Sequence, residues 1–138
     1  MKIIIDTCIW SLALRRRNEN ENKENEYVYE LKELINEVRA QLVGPVCQEL
    51  LSGIKSKKQF NILRDHLRAF PHIEIVTEDY ELAAEYFNTA RKKGIQGSNT
   101  DFLLCALSKR HKMPILTTDK DFIHFQAVLP VELHKPRI

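Results

Sequence analysis

Four acidic residues far apart in the chain, Asp6, Glu49, Asp101 and Asp119, stand where an α/β fold can bring side chains together. Asp6 follows Ile3-Ile4-Ile5, a β-branched run that reads as a strand buried on both faces. An aspartate there lies at the carboxyl edge of a parallel sheet, where such folds collect ligands. It serves equally as the N-cap of a following helix, because Asp accepts hydrogen bonds from helix-end amides. Asp101 ends Ser98-Asn99-Thr100-Asp101, a capping-box pattern ahead of the apolar run Phe102 to Leu107. A helix that apolar must be largely buried, which puts its first turn near the sheet edge. Asp119 and Asp121 lie in Thr117-Thr118-Asp119-Lys120-Asp121-Phe122, after the short strand Ile115-Leu116. That segment is either an Asx-turn into a short helix or part of a carboxylate cluster. Glu49, in the middle of a helix, has a solvated surface charge as its simplest reading.

Considered together, the four acids point to a cation. Asp6 and Asp119 both follow short buried strands, so a parallel sheet opens them on one edge. Carboxylates that close repel and raise one another's pKa unless a positive charge neutralises them. Mg²⁺ or Mn²⁺, hard cations that prefer oxygen ligands, would do so.

The elements that must position these acids alternate along the chain. Strands are expected at Ile3 to Ile5, Gln41 to Val43, Ile73 to Val76, Pro114 to Thr117 and Val128 to Leu133. Helices are expected at Thr7 to Arg17, Tyr27 to Arg39, Pro45 through Glu49 towards Gly53, and Lys57 to Phe70. Further helices fall at Asp79 to Lys93 with an Asp cap, at Phe102 to His111, and around Phe122. Leu31, Leu34, Ile35 and Val38 form an apolar stripe, as do Leu82, Tyr86 and Ala90. Asn18 to Glu26 is an entirely polar stretch that reads as a loop or a frayed helix start. Short strands alternating with helices predict one α/β domain over 1–138, a sandwich around a mainly parallel sheet.

Composition narrows the classes. With 138 residues, 43% hydrophobic and 29% charged, the chain can bury a core of its own. Its net charge of +2 makes any nucleic-acid contact depend on local clusters. Arg15-Arg16-Arg17, Lys55 with Lys57-Lys58, Arg91-Lys92-Lys93 and Lys109-Arg110 are such clusters. They read as solvated helix ends or as a track for nucleic-acid phosphates, with Arg15, Arg16, Arg17, Lys57 and Lys58 the candidate contacts. Trp10 reads as core or subunit interface, not as a base-stacking platform. Cys8, Cys47 and Cys105 lack metal-type spacing and read as reduced thiols. No apolar stretch has the length of a signal core or a membrane span, so a cytoplasmic, non-membrane protein is expected. The five histidines show no catalytic or ligand spacing.

The segments Asp6-Thr7-Cys8-Ile9-Trp10, Glu49-Leu50-Leu51-Ser52-Gly53, Asn99 to Ala106 and Thr117 to Phe122 together resemble the four ordered motifs of PIN-domain nucleases. The nearest subgroup is the VapC-type toxins of bacterial toxin–antitoxin pairs. The resemblance runs from residue 6 to residue 122 and implies a PIN-like three-layer sandwich. It also implies a Mg²⁺- or Mn²⁺-dependent endoribonuclease that hydrolyses RNA phosphodiester bonds with metal-activated water. Carried over position by position, Asp6, Glu49, Asp101 and Asp119 are the acidic quartet, with Asp6, Asp101 and Asp119 on the metal. Asp121, Thr7, Thr117 and Asn99 are auxiliary. A cognate antitoxin and a homodimer are the implied partners. Cys8 departs from the small or hydroxyl residues common at its position, and the polar insert of 18–26 lengthens the first helical hairpin.

Other readings make different demands. A PIN nuclease of RNA processing needs no antitoxin, and a PIN-fold binding module needs no acids. A dehalogenase-type phosphatase wants a second aspartate two residues after Asp6, where Cys8 stands. A phospho-receiver does not call for an acid at 101.

Overall fold

In a computed structural model, the described residues are 1–14 and 22–137. Three parallel strands form the sheet: β1 (Ile3–Ile5), β2 (Ala40–Gln41) and β3 (Ile115–Leu116), in the order β2-β1-β3. All three residues of β1 are fully buried, as expected of a central strand covered on both faces. Ile3 pairs with Ala40 on one side, and Ile5 with Leu116 on the other. Among the described residues, seven helices surround this sheet: α1 (Thr7–Leu14), α2 (Asn22–Asn36), α3 (Gly44–Leu51), α4 (Lys57–Arg68), α5 (Thr77–Lys92), α6 (Asn99–His111) and α7 (Asp121–Gln126). The α/β architecture expected from the sequence is the one found.

Two expected strands are single bridges. Around residue 72 the chain makes one parallel bridge to Leu42, and then Val76 begins the turn into α5. Near the C-terminus one parallel bridge joins Leu133 to Ile115. Pro71 and Pro136 fall at the next donor positions of these two bridges, and neither has an N–H to extend a ladder. Helix α2 starts at Asn22, earlier than the apolar stripe announces, because Asn, Lys and Glu carry no periodic signal yet tolerate helix. It ends at Asn36, short of Arg39. Val38 turns left-handed at φ 57° and the Arg39 N–H closes back on the Leu34 carbonyl at 2.8 Å. That reversal delivers Arg39 to β1, where its carbonyl accepts from the Ile3 N–H. The expected helix to Arg17 is seen to Leu14; Arg15, Arg16, Arg17 and the polar residues 18–21 lie outside the described residues.

Asp79 sits in the first turn of α5 and does not cap it from outside. Its carboxylate accepts from the Val76 N–H at 2.9 Å and from Arg110 of α6 at 2.6 and 2.8 Å, and only 1% of it is exposed. Burial pushes this acid up, but the Arg110 and Val76 bonds outweigh it and hold the carboxyl below its ordinary value. The α5–α6 pair is thereby locked electrostatically as well as by packing.

A second lock is aromatic. Phe102 packs on Phe87 and Phe125 at 5.6 and 4.9 Å, and Phe125 packs on Phe122 at 5.0 Å. Gly97 approaches this cluster so closely that a Cβ would fall 2.5 Å from the tip of Phe125 and 3.1 Å from Phe102. Gly97→Ala should therefore destabilise the fold by roughly 1–3 kcal/mol, since overpacking displaces fully buried rings. Urea unfolding should show a lower midpoint at an unchanged slope. An unchanged midpoint would mean that the two rings give way freely.

Candidate metal centre

The parallel register builds the site. Because Ile5 pairs with Leu116, the residues that follow, Asp6 and Thr117, leave the sheet side by side, and the Asp6 N–H donates to the Leu116 carbonyl at 3.0 Å. The Thr117 hydroxyl donates to Asp6 Oδ2 at 2.8 Å and accepts from the Asp119 N–H at 3.0 Å. Asp119 Oδ1 in turn accepts from the Asp121 N–H at 2.9 Å. On the other side, Asp6 Oδ1 accepts from the Thr7 N–H at 2.7 Å, and the Thr7 hydroxyl donates to Glu49 Oε1 at 2.6 Å. One continuous chain of hydrogen bonds thus joins Glu49, Thr7, Asp6, Thr117, Asp119 and Asp121. Asp6 takes both roles open to it in the sequence, meeting the first amide of α1 and facing the sheet edge.

Asp101 arrives from α6. Its carboxylate accepts from the Ser98 N–H at 3.1 Å, and its N–H donates to the Ser98 hydroxyl at 3.0 Å, completing the capping box. One oxygen each of Asp101, Asp119 and Asp121 come within 4.8 Å of one another. Asp6 stands outside this threesome, buried at 6% exposure, yet its charge reaches Asp101. Glu49 is exposed and meets the cluster only through Thr7.

The electrostatics are those of crowded acids. Burial, with the charges of Asp6 and Asp119, pushes Asp101 up to about 6 despite its two bonds to Ser98. Burial also raises Asp6, aided by Asp119 and opposed by its bonds to Thr117, Thr7 and Cys8. Behind the site, burial and the charges of Asp101 and Asp6 push the Cys105 thiol up to about 12, so it stays neutral. These are the conditions that a divalent cation relieves, and three carboxylates of suitable spacing form an all-oxygen donor set suited to Mg²⁺ or Mn²⁺.

Cys8 and Thr118 belong to this neighbourhood although neither stood among the candidate site residues. Cys8 Sγ lies 3.6 Å from Asp6 Oδ2 and 3.4 Å from Thr117 Oγ1, and it accepts from the Thr118 N–H and hydroxyl at 3.4 and 3.3 Å. The thiol thus does a hydroxyl's work at that position, and the doubled threonine after β3 was the available signal. Other candidates lie apart. Asn99 is exposed and lines a hollow of about 450 Å³ with Tyr80 and Pro45. Lys57 stacks its ammonium over Phe60 at 5.7 Å, and Lys58 lines a groove between α1 and α4. Arg110, from one basic cluster, is held by Asp79, and Arg91, from another, lies over Phe87 at 5.3 Å. Trp10 is core, 3% exposed against Phe70.

The site is thus a cluster of carboxylates at the carboxyl edge of a parallel α/β sheet, an oxygen-rich donor set that fits a hard cation. Residues 3–128 match the PIN domain family model, and the chain belongs to that family. No curated protein matches it in a sequence comparison. Among solved structures it is similar to VapBC2 from Rickettsia felis bound to a promoter DNA fragment, at TM-score 0.76 and 18% identity, covering 97% of this chain and 98% of that one. FitAcB from Neisseria gonorrhoeae is similar at TM-score 0.71 and 20% identity, covering 97% of each chain. A toxin-antitoxin complex from Klebsiella pneumoniae is similar at TM-score 0.64 and 19% identity, covering 96% of this chain and all of that one. The three-layer PIN fold expected from the motifs is therefore the fold observed. Among the described residues no helix is long and apolar enough to cross a membrane.

The raised acids fix the sign of a pH effect. A group whose folded pKa exceeds its unfolded value costs stability once pH rises through the folded value, and that cost vanishes as pH falls. The metal-free protein should thus melt at a higher temperature as pH is lowered from about 7.5 to about 5.5, through the value near 6 of Asp101. Asp79 and Glu30, whose lowered values act in the opposite sense, titrate below that window, whereas His111, lowered by burial, opposes the trend inside it and is common to wild type and variant. Asp101→Asn should flatten the trend in differential scanning fluorimetry. Saturating Mn²⁺ should reverse it, because a cation competes with protons for the same oxygens. A pH trend that persists in Asp101→Asn would place its origin elsewhere.

Proposed function

We propose that this chain is a Mg²⁺- or Mn²⁺-dependent endoribonuclease, the toxin component of a toxin–antitoxin pair. The observation that carries this reading is the meeting of Asp101, Asp119 and Asp121 at the sheet edge of a PIN-family chain. Those three acids hold the cation, and Asp6 adds a fourth negative charge while anchoring Thr117. A divalent cation held there neutralises the carboxylates, lowers the pKa of water and stabilises charge on phosphoryl oxygens. The protein's own part is positional. The capping box fixes Asp101, the Thr117 hydroxyl sets Asp6 against the backbone of Asp119, and Thr7 holds Glu49 where it can orient an attacking water. RNA is the proposed substrate because the same fold carries toxins, and the VapC-type resemblance of the motifs points to ribonucleases.

An antitoxin is the proposed protein partner. Its support is the company of toxin–antitoxin complexes and the groove of about 870 Å³ between α1 and α4, flanked by Leu14 and Ile62 at 47% and 50% exposure. Exposed aliphatic side chains beside a groove suit the apolar face of a partner helix. A homodimer through the face that carries Tyr80, 56% exposed, completes the proposed assembly.

The deciding assay compares wild type with Asp101→Asn and Asp121→Asn on single-stranded RNA, with Mg²⁺, Mn²⁺ or EDTA. Cleavage should require metal and fall on the order of 100-fold or more in Asp101→Asn. Asp121→Asn should also lose activity strongly, since its carboxylate shares the three-way approach. Metal-dependent cleavage that survives both substitutions would sink the site. Mn²⁺ binding without any cleavage would favour a binding module of the same fold.

A further inference from the structure

Beside the acids, and sharing Thr117, Thr118 and Asp119 with them, runs a second cleft of about 670 Å³. Its walls come from three places: Tyr27 of α2, Ile123 and Gln126 of α7, and the C-terminal segment with His134 and Lys135. Lys120 stands at its rim on the same loop as Asp119. The volume falls within the roughly 300–1,000 Å³ over which proteins hold ligands.

The cleft is a built feature. The C-terminal segment is tied to β3 by the Ile115 N–H on the Glu132 carbonyl at 2.9 Å and the His134 N–H on the Ile115 carbonyl at 2.8 Å. Glu30, a carboxylate of α2 with 1% exposure, accepts from His134 Nε2 at 2.6 Å and from Arg137 Nε at 2.9 Å. Arg137 continues to Glu37 at 3.0 Å. Burial pushes Glu30 up, but the His134 and Arg137 bonds prevail and keep it ionised, so the wall is clamped by charge. The opposite wall leaves Ile123 60% exposed, an apolar face with nothing of this chain over it among the described residues.

From this we infer that the cleft seats an unpaired nucleotide of single-stranded RNA next to the phosphate that the acids address. The inference rests on the nuclease reading for its substrate class. The chemistry matches part by part. Ile123 and the ring of Tyr27 offer surface to the face of a base, which stacks on aromatic and apolar groups without regard to its identity. Gln126 uses its amide N–H on the Val131 carbonyl at 3.4 Å, which leaves its Oε1 to accept from a base edge. Lys120 and Lys135 supply positive charge for the flanking phosphates, which the neighbouring carboxylates would otherwise repel. A base must leave its helix to enter such a cleft, so the ligand is single-stranded.

The test measures binding of a short fluorescent oligoribonucleotide to Asp101→Asn protein in Mg²⁺, by anisotropy across a salt series. Ile123→Ser and Gln126→Ala should each weaken binding, together about tenfold. Lys135→Gln should lower the slope of log affinity against log salt by about 0.7, one single-strand phosphate contact. All three residues are exposed, so melting temperatures should stay at the parent value. Binding and salt slope equal to the parent in all three variants would overturn the subsite and leave the cleft to a peptide of a protein partner. Absence of RNA binding by the parent would overturn it as well. Wild type that binds RNA through the cleft but never cuts it, in Mg²⁺ or Mn²⁺, would retain the subsite and dismiss the nuclease.

Discussion

Carboxylates brought within 4.8 Å of one another repel, and much of the structure can be understood as the means of holding them there. The restraint is mainly apolar. Asp101 is followed by Phe102 and Asp121 by Phe122, both buried, and both rings pack against Phe125. Burying a phenylalanine contributes roughly 1.5–3 kcal/mol, the scale needed to fix a helix start against like-charge repulsion. Each acid is thus held by the residue beside it, and neither helix can turn its acid away without unpacking the aromatic cluster.

Polar restraint does the finer work. The parallel register of β1 and β3 sets Asp6 and Thr117 level, and hydroxyls at 7 and 117 link acids from different elements. Side-chain hydrogen bonds of this kind fix direction more than they stabilise, since each contributes only about 1 kcal/mol net. Their value is that Asp6 cannot swing to water while both its oxygens are engaged. The thiol of Cys8 joins the same arrangement, which is why a cysteine stands there without disturbing the acids.

The legible part of the sequence was the part governed by periodicity and local chemistry. The buried run of three isoleucines, the apolar stretch after Asp101 and the Ser98 box announced β1, α6 and the cap of α6, and the ordered motifs announced the family. What stayed hidden depended on tertiary partners. The proline-limited bridges at 72 and 133 look like strands locally because alternating apolar residues say nothing about how many backbone bonds will form. The start of α2 was concealed by polarity. Asp79 reads from the sequence as a helix cap, and its enclosure by Arg110, distant in sequence, is a tertiary contact that the local pattern does not record. The approach of Asp121 to Asp101 and Asp119 is a property of packing, and no spacing along the chain records it.

Charge then sets the order in which the site can work. A phosphodiester approaching the bare cluster meets three carboxylates and, behind them, Asp6, so approach is unfavourable until positive charge occupies the space between. The lysines at 120 and 135 line the neighbouring cleft. On the proposed reading they would draw the adjoining phosphates of a strand towards the edge, where a cation held by the acids would complete the complement. Net charge on the whole chain is only +2, so this division is local: anionic at the acid cluster, cationic along the neighbouring cleft. Such a surface discriminates by geometry, because a ligand gains both attractions only when a phosphate reaches the acids while its neighbour reaches the lysines.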